Sequence, residues 1–356
     1  MAFINSVLNL LATKPNDLWV KIVDWIQTFI PSYAWAILFF TLLIKFVLLP
    51  MDFLQKKTTR KNMEMQKIMA PEMEKLQKKY GNNKQLLNQK QMELYKKNNY
   101  NLVGSCLVML VSLVLTLVIF ITLWNSLNRI ATYRVVNQYE QLEIIYNDTS
   151  LTDEEKSLKI EEKFLENQKE NSWLWVKNIW MADSPLKKNI PTFKEYANMA
   201  GLNKEERASK EETYNKIMAP LSEKYQRVNG YFILPILVVL ATVLSQLLMQ
   251  PKKNKKKKEI KTEDGLIVDK DKNQNQEKPV DPSQAQGKLM LILIPILMGW
   301  LTISYNVVFA LYLLASSLFS AATTPLINLI VDKLSKNKRE KLEKKKNKDV
   351  SYRRKI

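Results

Sequence analysis

The chain has 356 residues, a net charge of +19, no histidine and a single cysteine, Cys106. Without histidine, the sequence has no histidine-based catalytic triad, general base or metal ligand, and one cysteine cannot form an intrachain disulfide. We therefore expect no enzyme activity and no metal or other cofactor. Apolar residues make up 46% of the sequence and charged residues 25%, and the two classes occupy separate stretches of the chain.

Five apolar runs are nearly free of charge, and each is about as long as the roughly 17–25 residues of a membrane-spanning helix. Backbone groups in lipid must form hydrogen bonds within their own segment, so helices are the expected structure. The sequence therefore predicts an all-α polytopic membrane protein with five transmembrane helices; buried helices of a large soluble protein are the alternative. The predicted spans are 32–50, 102–124, 230–249, 289–305 and 306–331.

The charged residues between these runs indicate the orientation of the chain. Residues 51–103 carry twelve basic and five acidic side chains, and residues 332–356 carry twelve and four. Residues 125–228 instead carry sixteen basic and seventeen acidic side chains. Because strongly basic loops remain in the cytoplasm, we expect the N-terminus outside and the C-terminus inside the bacterial cytoplasmic membrane.

The N-terminal segment, residues 1–31, contains a predicted amphipathic helix at Leu18–Ile30 that ends before Pro31. Its tryptophans, Trp19 and Trp25, are typical of a membrane interface, which favours a helix lying on the external surface of the membrane. A helix packed against the external loop is the alternative.

Residues 51–101 are predicted to form a basic cytoplasmic helical hairpin with its turn at Gly81–Asn83. Apolar side chains recur at steps of three and four residues on the first arm, as at Met69 and Met73, which predicts a coiled-coil-like seam. Pro71 lies within that arm and predicts a kink or a restart of the helix.

Three more polar segments follow along the chain. The extracytoplasmic loop, 125–229, is predicted to contain helices at Glu154–Gln168 and Lys204–Glu223. The segment 250–288 has low complexity and is predicted to be a disordered cytoplasmic loop. The last segment, 332–356, is predicted to be a basic, helix-compatible cytoplasmic tail; plain anchoring of the topology is an alternative to a binding role for it.

Lys45 is the one ionisable side chain of consequence in the predicted spans, which contain no carboxylate. A charge near the bilayer centre costs about 2.5–3.5 kcal/mol, which favours a water-filled pocket around it. Snorkelling of the lysine to the cytoplasmic headgroups is the alternative. Polar residues on other spans favour a hydrophilic substrate groove, although singly they are also typical of helix-packing contacts. The predicted groove residues are Lys45, Thr41, Ser112, Thr116, Gln246, Tyr312 and Ser316.

Several short motifs, weak singly, follow one another in a specific order and spacing. They include Thr41-Leu-Leu-Ile-Lys45, Met69-Ala-Pro71-Glu, Lys79-Tyr80-Gly81, Trp173-Leu-Trp175, Asp183-Ser-Pro185 and Leu311-Tyr312. This arrangement resembles the YidC/Oxa/Alb family of membrane-protein insertases, over most of the chain.

The resemblance implies a protein that inserts nascent membrane proteins and helps them fold. It implies a groove open to the cytoplasm and the bilayer but closed on the outside, with no cofactor. It further implies that the hairpin and the basic tail contact ribosomes, and that the Sec translocon and the signal-recognition-particle pathway are possible partners.

The sequence departs from the family pattern in two respects that affect the groove. Lys45 replaces the usual arginine, which keeps the charge but loses the planar guanidinium. The second span has Val108, Ser112 and Val114 where the family usually carries two prolines and a glutamine. A secondary transporter or channel and a non-inserting assembly scaffold are the alternative functions. The first usually needs intramembrane carboxylates or broken helices, neither of which the sequence predicts.

Overall fold

The computed structural model describes residues 14–98, 102–249 and 282–353. Within these ranges the chain is helical apart from turns, connecting loops and two isolated β-bridges, which confirms the predicted all-α fold. The helices are α1 Leu18–Gln27, α2 Tyr33–Tyr80, α3 Lys84–Lys97, α4 Leu102–Tyr146, α5 Asp153–Asn171, α6 Phe193–Met199, α7 Lys204–Tyr225, α8 Ile233–Met249, α9 Pro282–Ser304 and α10 Val307–Arg353. Most of the predicted loop 250–288 lies outside the described residues.

Among the described residues, three helical segments are long and apolar enough to cross a membrane: Tyr33–Thr59, Leu110–Tyr146 and Val307–Leu334. Two shorter apolar segments, Ile233–Leu248 and Leu291–Ser304, accompany them. A helix rises 1.5 Å per residue, so the 17 residues of α8 cover about 25 Å, somewhat less than a hydrocarbon core of about 30 Å.

The last helix, α10, lies at the centre of the bundle. It packs most extensively against α8 and α2 and also contacts α4 and α9, while α9 packs mainly against α8. Both α2 and α10 continue well beyond the bundle, to Tyr80 and Arg353. One continuous helix therefore joins the bundle to the first arm of the hairpin, and another joins it to the C-terminal segment.

The hairpin consists of the far half of α2 and the helix α3, on either side of Gly81–Asn83. Its interior contains the buried side chains of Met69 and Leu94, and the Asn83 side chain caps α3 by accepting a hydrogen bond from the Leu86 amide. Of the kink or restart predicted at Pro71, the restart is wrong, because α2 runs through this residue without a break. A proline inside a helix costs about 3 kcal/mol, and the adjoining burial of Met69 offsets part of that cost.

Residues 125–232 fold into a compact helical unit, which we call the loop domain. It contains the far end of α4 together with α5, α6 and α7, and the bounds of α5 and α7 agree closely with the two helices predicted there. Three tyrosines, Tyr139, Tyr196 and Tyr214, form its centre, with ring centroids 4.6–4.9 Å apart. Burial raises the pKa of Tyr196 and Tyr214, because the charged phenolate is disfavoured in this apolar centre.

Candidate functional site

An apolar cluster fills the end of the bundle that meets the loop domain, which we call the loop-domain end. The first turns of α2, α8 and α10 contribute to it, together with the middle of α4. Its buried members include Tyr33, Ile37, Phe40, Leu123, Leu127, Ile130, Leu234, Val238 and all residues from Val307 to Leu313. Side chains of this size in a buried cluster pack closely, as in the interior of a soluble protein.

Residues 173–183 cross the loop-domain end of the bundle, and we call them the capping segment. Trp173 contacts Trp35 at the start of α2, with ring centroids 5.7 Å apart. The amides of Val307 and Val308 donate hydrogen bonds to carbonyl groups of the capping segment, at 2.9 and 3.3 Å. These amides open α10 and have no hydrogen-bond partner within that helix. The capping segment therefore covers the bundle and also supplies hydrogen-bond acceptors for the first amides of its central helix.

Asp183 joins the capping segment to the start of α8. Its carboxylate is fully buried and accepts hydrogen bonds from the amides of Tyr231, at 2.8 Å, and Leu234, at 2.7 Å. It also accepts one from the indole of Trp175 at 3.3 Å. A carboxylate at a helix N-terminus is stabilised by the helix dipole and by the free amides there. The sequence motif around Asp183 is thus the cap of a predicted span.

The opposite end of the bundle, from which the hairpin leaves, is polar. We call it the hairpin end. Thr242 and Ser317 form a hydrogen bond of 3.1 Å between α8 and α10. One turn further along α8, Gln246 is buried and its side-chain oxygen has no hydrogen-bond partner among the described residues. Such a buried, unpaired amide oxygen needs water or a ligand to satisfy it. The predicted groove residue Ser316, next to Ser317, is half-buried.

Lys45 lies at this polar level. It is half-buried, and its ammonium group makes no hydrogen bond or ion pair with any described residue. Phe46 contacts Phe319 of α10, with ring centroids 5.2 Å apart, so Lys45 lies beside the part of α10 that follows Ser316. Thr41, one turn before Lys45, is fully buried and donates to the Ile37 carbonyl at 2.7 Å. A cation beside buried polar groups favours a hydrated pocket over a purely apolar surrounding.

Residues 110–118 of α4, toward the hairpin end, are largely exposed. From Leu110 to Val118 every residue is exposed except Ser112, whereas α4 is buried where it meets the apolar cluster. Thr116 is among the exposed residues and donates to the Ser112 carbonyl at 2.8 Å. Because eight of these nine residues are exposed, this stretch of α4 packs less tightly into the bundle than the part that meets the apolar cluster.

One predicted groove residue, Tyr312, belongs to the apolar cluster instead of the polar level. Its ring stacks on Phe309 with a centroid distance of 6.3 Å, and it is buried with its neighbours. The tyrosine therefore lies at the boundary between the two halves of the bundle. Of the other predicted residues, Thr41 adjoins Phe40 of the apolar cluster, whereas Lys45, Ser316 and Gln246 lie further toward the hairpin end. Ser112 and Thr116 lie on α4, and no contact joins them to the other predicted residues that the structure describes.

Two charged residues of α2 at the hairpin end were not among the predicted groove residues. Lys56 donates a hydrogen bond of 2.8 Å to the Thr324 hydroxyl of α10, and Asp52 acts electrostatically on both Lys45 and Lys56. Their spacing was a usable signal: Asp52 and Lys56 follow Lys45 by seven and eleven residues, about two and three helical turns. Lys45, Asp52 and Lys56 therefore share one face of α2.

Comparison with known proteins identifies a matching family and several relatives of this chain. A family model described as 60Kd inner membrane protein matches residues 25–334. The chain is 48% identical to the membrane protein insertase YidC of Clostridium tetani over 79 residues, which are 22% of this chain and 34% of that protein. It is 40% identical to the protein of the same name in Fusobacterium nucleatum over 92 residues, 26% of this chain and 43% of that protein.

A third relative, the membrane protein insertase YidC of Leptospira interrogans, is 36% identical over 103 residues, 27% of this chain and 16% of that protein. The chain thus covers less than half of the length of each of these relatives. The family model, in contrast, extends from α1 to α10 and includes the hairpin, the capping segment and the polar level. The chain therefore belongs to the 60Kd inner membrane protein family, the family of the YidC, Oxa and Alb proteins.

Proposed function

We propose that this chain is a membrane-protein insertase that receives polar segments of nascent membrane proteins at the hairpin end of its bundle. The observation that carries this proposal is the contrast along the bundle axis. A cation and buried polar groups lie toward the hairpin end on α2, α8 and α10, a neighbouring stretch of α4 is exposed, and an apolar cluster under the capping segment fills the other end.

The proposed groove lowers the cost of moving a polar segment into the membrane in two ways. Hydrated side chains at the polar level replace part of the water that the segment loses. Lys45 attracts acidic side chains: two unit charges 4 Å apart interact by about 4 kcal/mol at an effective dielectric of 20. This is comparable to the cost of about 2.5–3.5 kcal/mol for placing one aspartate at the centre of a transmembrane helix.

We further propose that the five apolar segments of α2, α4, α8, α9 and α10 all cross the bacterial cytoplasmic membrane, with the hairpin end in the cytoplasm. The charge bias of the loops supports this orientation, since the hairpin and tail are basic and the loop domain is balanced. A cysteine introduced by Asn82→Cys should resist an impermeant thiol reagent in intact cells, and one introduced by Asp153→Cys should react. Labelling of the first from outside would contradict the orientation.

The proposed partners follow from the same orientation. Nascent membrane proteins and the lipid bilayer meet the groove, while the hairpin and tail present basic surfaces to the cytoplasm, where the ribosome is a large polyanion. The Sec translocon and the signal-recognition-particle pathway are proposed as further partners for those substrates that arrive on ribosomes. Because α2 joins Lys45 to the hairpin and α10 joins Ser316 to the tail, a partner held at the basic surfaces delivers its chain beside the groove.

Insertion into vesicles that contain this protein alone tests the function directly. A reporter with one transmembrane segment and a short polar outer segment is translated in the presence of such vesicles, and protection of the outer segment from protease is measured. We expect protection well above that in vesicles without protein. Protection at the level of protein-free vesicles would contradict the insertase proposal and favour an assembly scaffold.

A further inference from the structure

The capping segment begins with a tight turn that presents a leucine to the surroundings. Trp173 and Val176 pair through both of their backbone hydrogen bonds, at 2.9 and 2.8 Å. Leu174, at the tip, has a φ of 50° and a side chain that is 65% exposed. The left-handed backbone region suits glycine and asparagine, whereas a leucine there is strained. An apolar residue that is both strained and exposed has no explanation in packing within the described chain.

Two spans fix the position of this turn. On one side Trp173 contacts Trp35, in the first turn of α2. On the other side the indole of Trp175 donates to Asp183, whose carboxylate caps the start of α8. Since both contacts lie where an apolar helix begins, the tip of the turn is held at the depth where the spans leave the hydrocarbon layer. Leu174 therefore lies at the height of a membrane surface.

Exposed aromatic side chains also occur where the chain enters these two spans. They are Trp35 in the first turn of α2, Trp25 in α1 and Phe29 just after it, and Tyr231 just before α8. Tryptophan and tyrosine are enriched where a bilayer meets water, because their rings combine an apolar body with a polar group. Trp35 also begins the exposed apolar surface that continues along α2 through Phe39, so the turn adjoins the lipid-facing side of a span.

We propose that residues 173–176 form a lipid-docking turn, in which Leu174 inserts into the boundary between headgroups and acyl chains of the adjacent leaflet. The ligand is the lipid surface itself. Burial of the leucine among acyl chains offsets the strain of its left-handed backbone, and the docked turn holds the loop domain at a fixed height above the bundle. The inference requires that α2 and α8 cross the bilayer; it does not depend on the insertase activity.

Site-directed spin labelling in bilayers tests the proposal. With Cys106→Ala as the background, a nitroxide is attached after Leu174→Cys, and the protein is reconstituted in vesicles of phosphatidylethanolamine and phosphatidylglycerol. We expect this label to be relaxed more by oxygen, which concentrates in lipid, than by a water-soluble nickel chelate. The matched control is Leu158→Cys, since Leu158 in α5 of the loop domain is 69% exposed; its label should show the opposite ratio. Equal ratios at the two positions would overturn the proposal.

A second variant tests the proposal without a spin label, since a label can itself disturb the strained turn. Leu174→Asn suits the left-handed backbone but removes the apolar side chain. If the turn were only a connection within the protein, this change would leave the thermal unfolding temperature in vesicles unchanged or raise it. We expect a decrease of several degrees instead, and a negligible change for Leu158→Asn. An unchanged or higher unfolding temperature for Leu174→Asn would contradict docking of Leu174 in lipid.

Discussion

The two ends of the bundle differ in whether their polar groups have hydrogen-bond partners. At the loop-domain end, Asp183 is fully buried, yet its carboxylate accepts three hydrogen bonds, from two backbone amides and one indole. At the hairpin end, Lys45 and the side-chain oxygen of Gln246 have no hydrogen-bond partner among the described residues. Paired polar groups fix a structure, whereas unpaired ones at an accessible level are available to a substrate. The first end should therefore determine stability and the second activity.

The largest expected effect comes from disturbing the loop-domain end at Gly230. A Cβ atom at this position would lie 1.8 Å from Oδ1 of Asp183 and 3.0 Å from its Cα. Gly230→Ala must therefore displace the carboxylate that caps α8, and we expect destabilisation of about 3 kcal/mol, from overpacking and loss of the cap together. Thermal or denaturant unfolding in detergent measures this loss.

The control for this prediction is Gly299→Ala in α9. A Cβ atom there would meet a single methyl group of Val239 at 2.8 Å, and a side chain can move more easily than a capped backbone. Its cost should be clearly smaller. If both variants unfold like the parent protein, Asp183 does not hold the capping segment in the way that the hydrogen bonds indicate.

Changes at Lys45 should reverse this pattern, with a large effect on activity and little on stability. Lys45→Arg keeps the charge and should retain insertion. Lys45→Ala should reduce insertion of a reporter with an acidic outer segment by about tenfold or more, because an attraction of a few kcal/mol is lost, and should spare the neutral version of the same reporter. Lys45→Glu should be worse for the acidic reporter, because it adds repulsion.

The pair of reporters separates the groove from snorkelling. A lysine that only reaches the headgroups predicts that Lys45→Ala and Lys45→Glu treat the acidic and neutral reporters alike. Equal insertion of the two reporters by Lys45→Ala would therefore contradict an electrostatic role for Lys45. Unfolding temperatures of the three variants close to that of the parent would show that the losses concern activity.

The tail should have an intermediate effect, on binding and not on the groove. Deletion of residues 336–356 removes most of the basic charge that follows α10's apolar segment. We expect the shortened protein to insert in the membrane as before but to co-sediment less with ribosomes, most visibly at low salt, since attraction to a polyanion weakens as salt rises. Unchanged co-sedimentation would assign the ribosome contact to the hairpin instead.

The sequence predicts those features that depend on local patterns. Apolar runs reveal the spans because hydrophobic length is a property of consecutive residues, and the turn at Gly81–Asn83 is visible from its turn-forming residues. The features of the loop-domain end were not predicted. Asp183 lies 51 residues before Leu234 along the chain, and nothing in the Asp183-Ser-Pro185 motif indicates which amides it caps. The strain at Leu174 is likewise invisible, because leucine ordinarily disfavours that backbone region.

The candidate groove was predictable only in outline. Lys45 stands out in the sequence because a charge in an apolar run is rare, and Thr41 follows from helical spacing. Tyr312 was included because it shares a face of α10 with Ser316, but four residues, about 6 Å along a helix, separate the polar level from the apolar cluster. Lys56 was assigned to the hairpin because it follows Pro50, although α2 continues unbroken through that proline.

The smallest expected effect concerns the contact between Lys56 and Thr324, which is where the two long helices meet at the hairpin end. The ammonium group donates to the threonine hydroxyl at 2.8 Å, and the site is partly exposed, so we expect about 1 kcal/mol of coupling. Lys56→Met and Thr324→Val each remove one partner while keeping a similar shape. A double-mutant cycle on the free energy of unfolding isolates the coupling of this pair.

The same cycle, measured on insertion of the acidic reporter, tests whether Lys56 acts on stability alone or also on activity. If Lys56 only joins α2 to α10, each single variant lowers stability and insertion in proportion, and the double variant is no worse than either. If Lys56 also attracts substrates on their way to Lys45, Lys56→Met alone lowers insertion of the acidic reporter, while Thr324→Val leaves it unchanged.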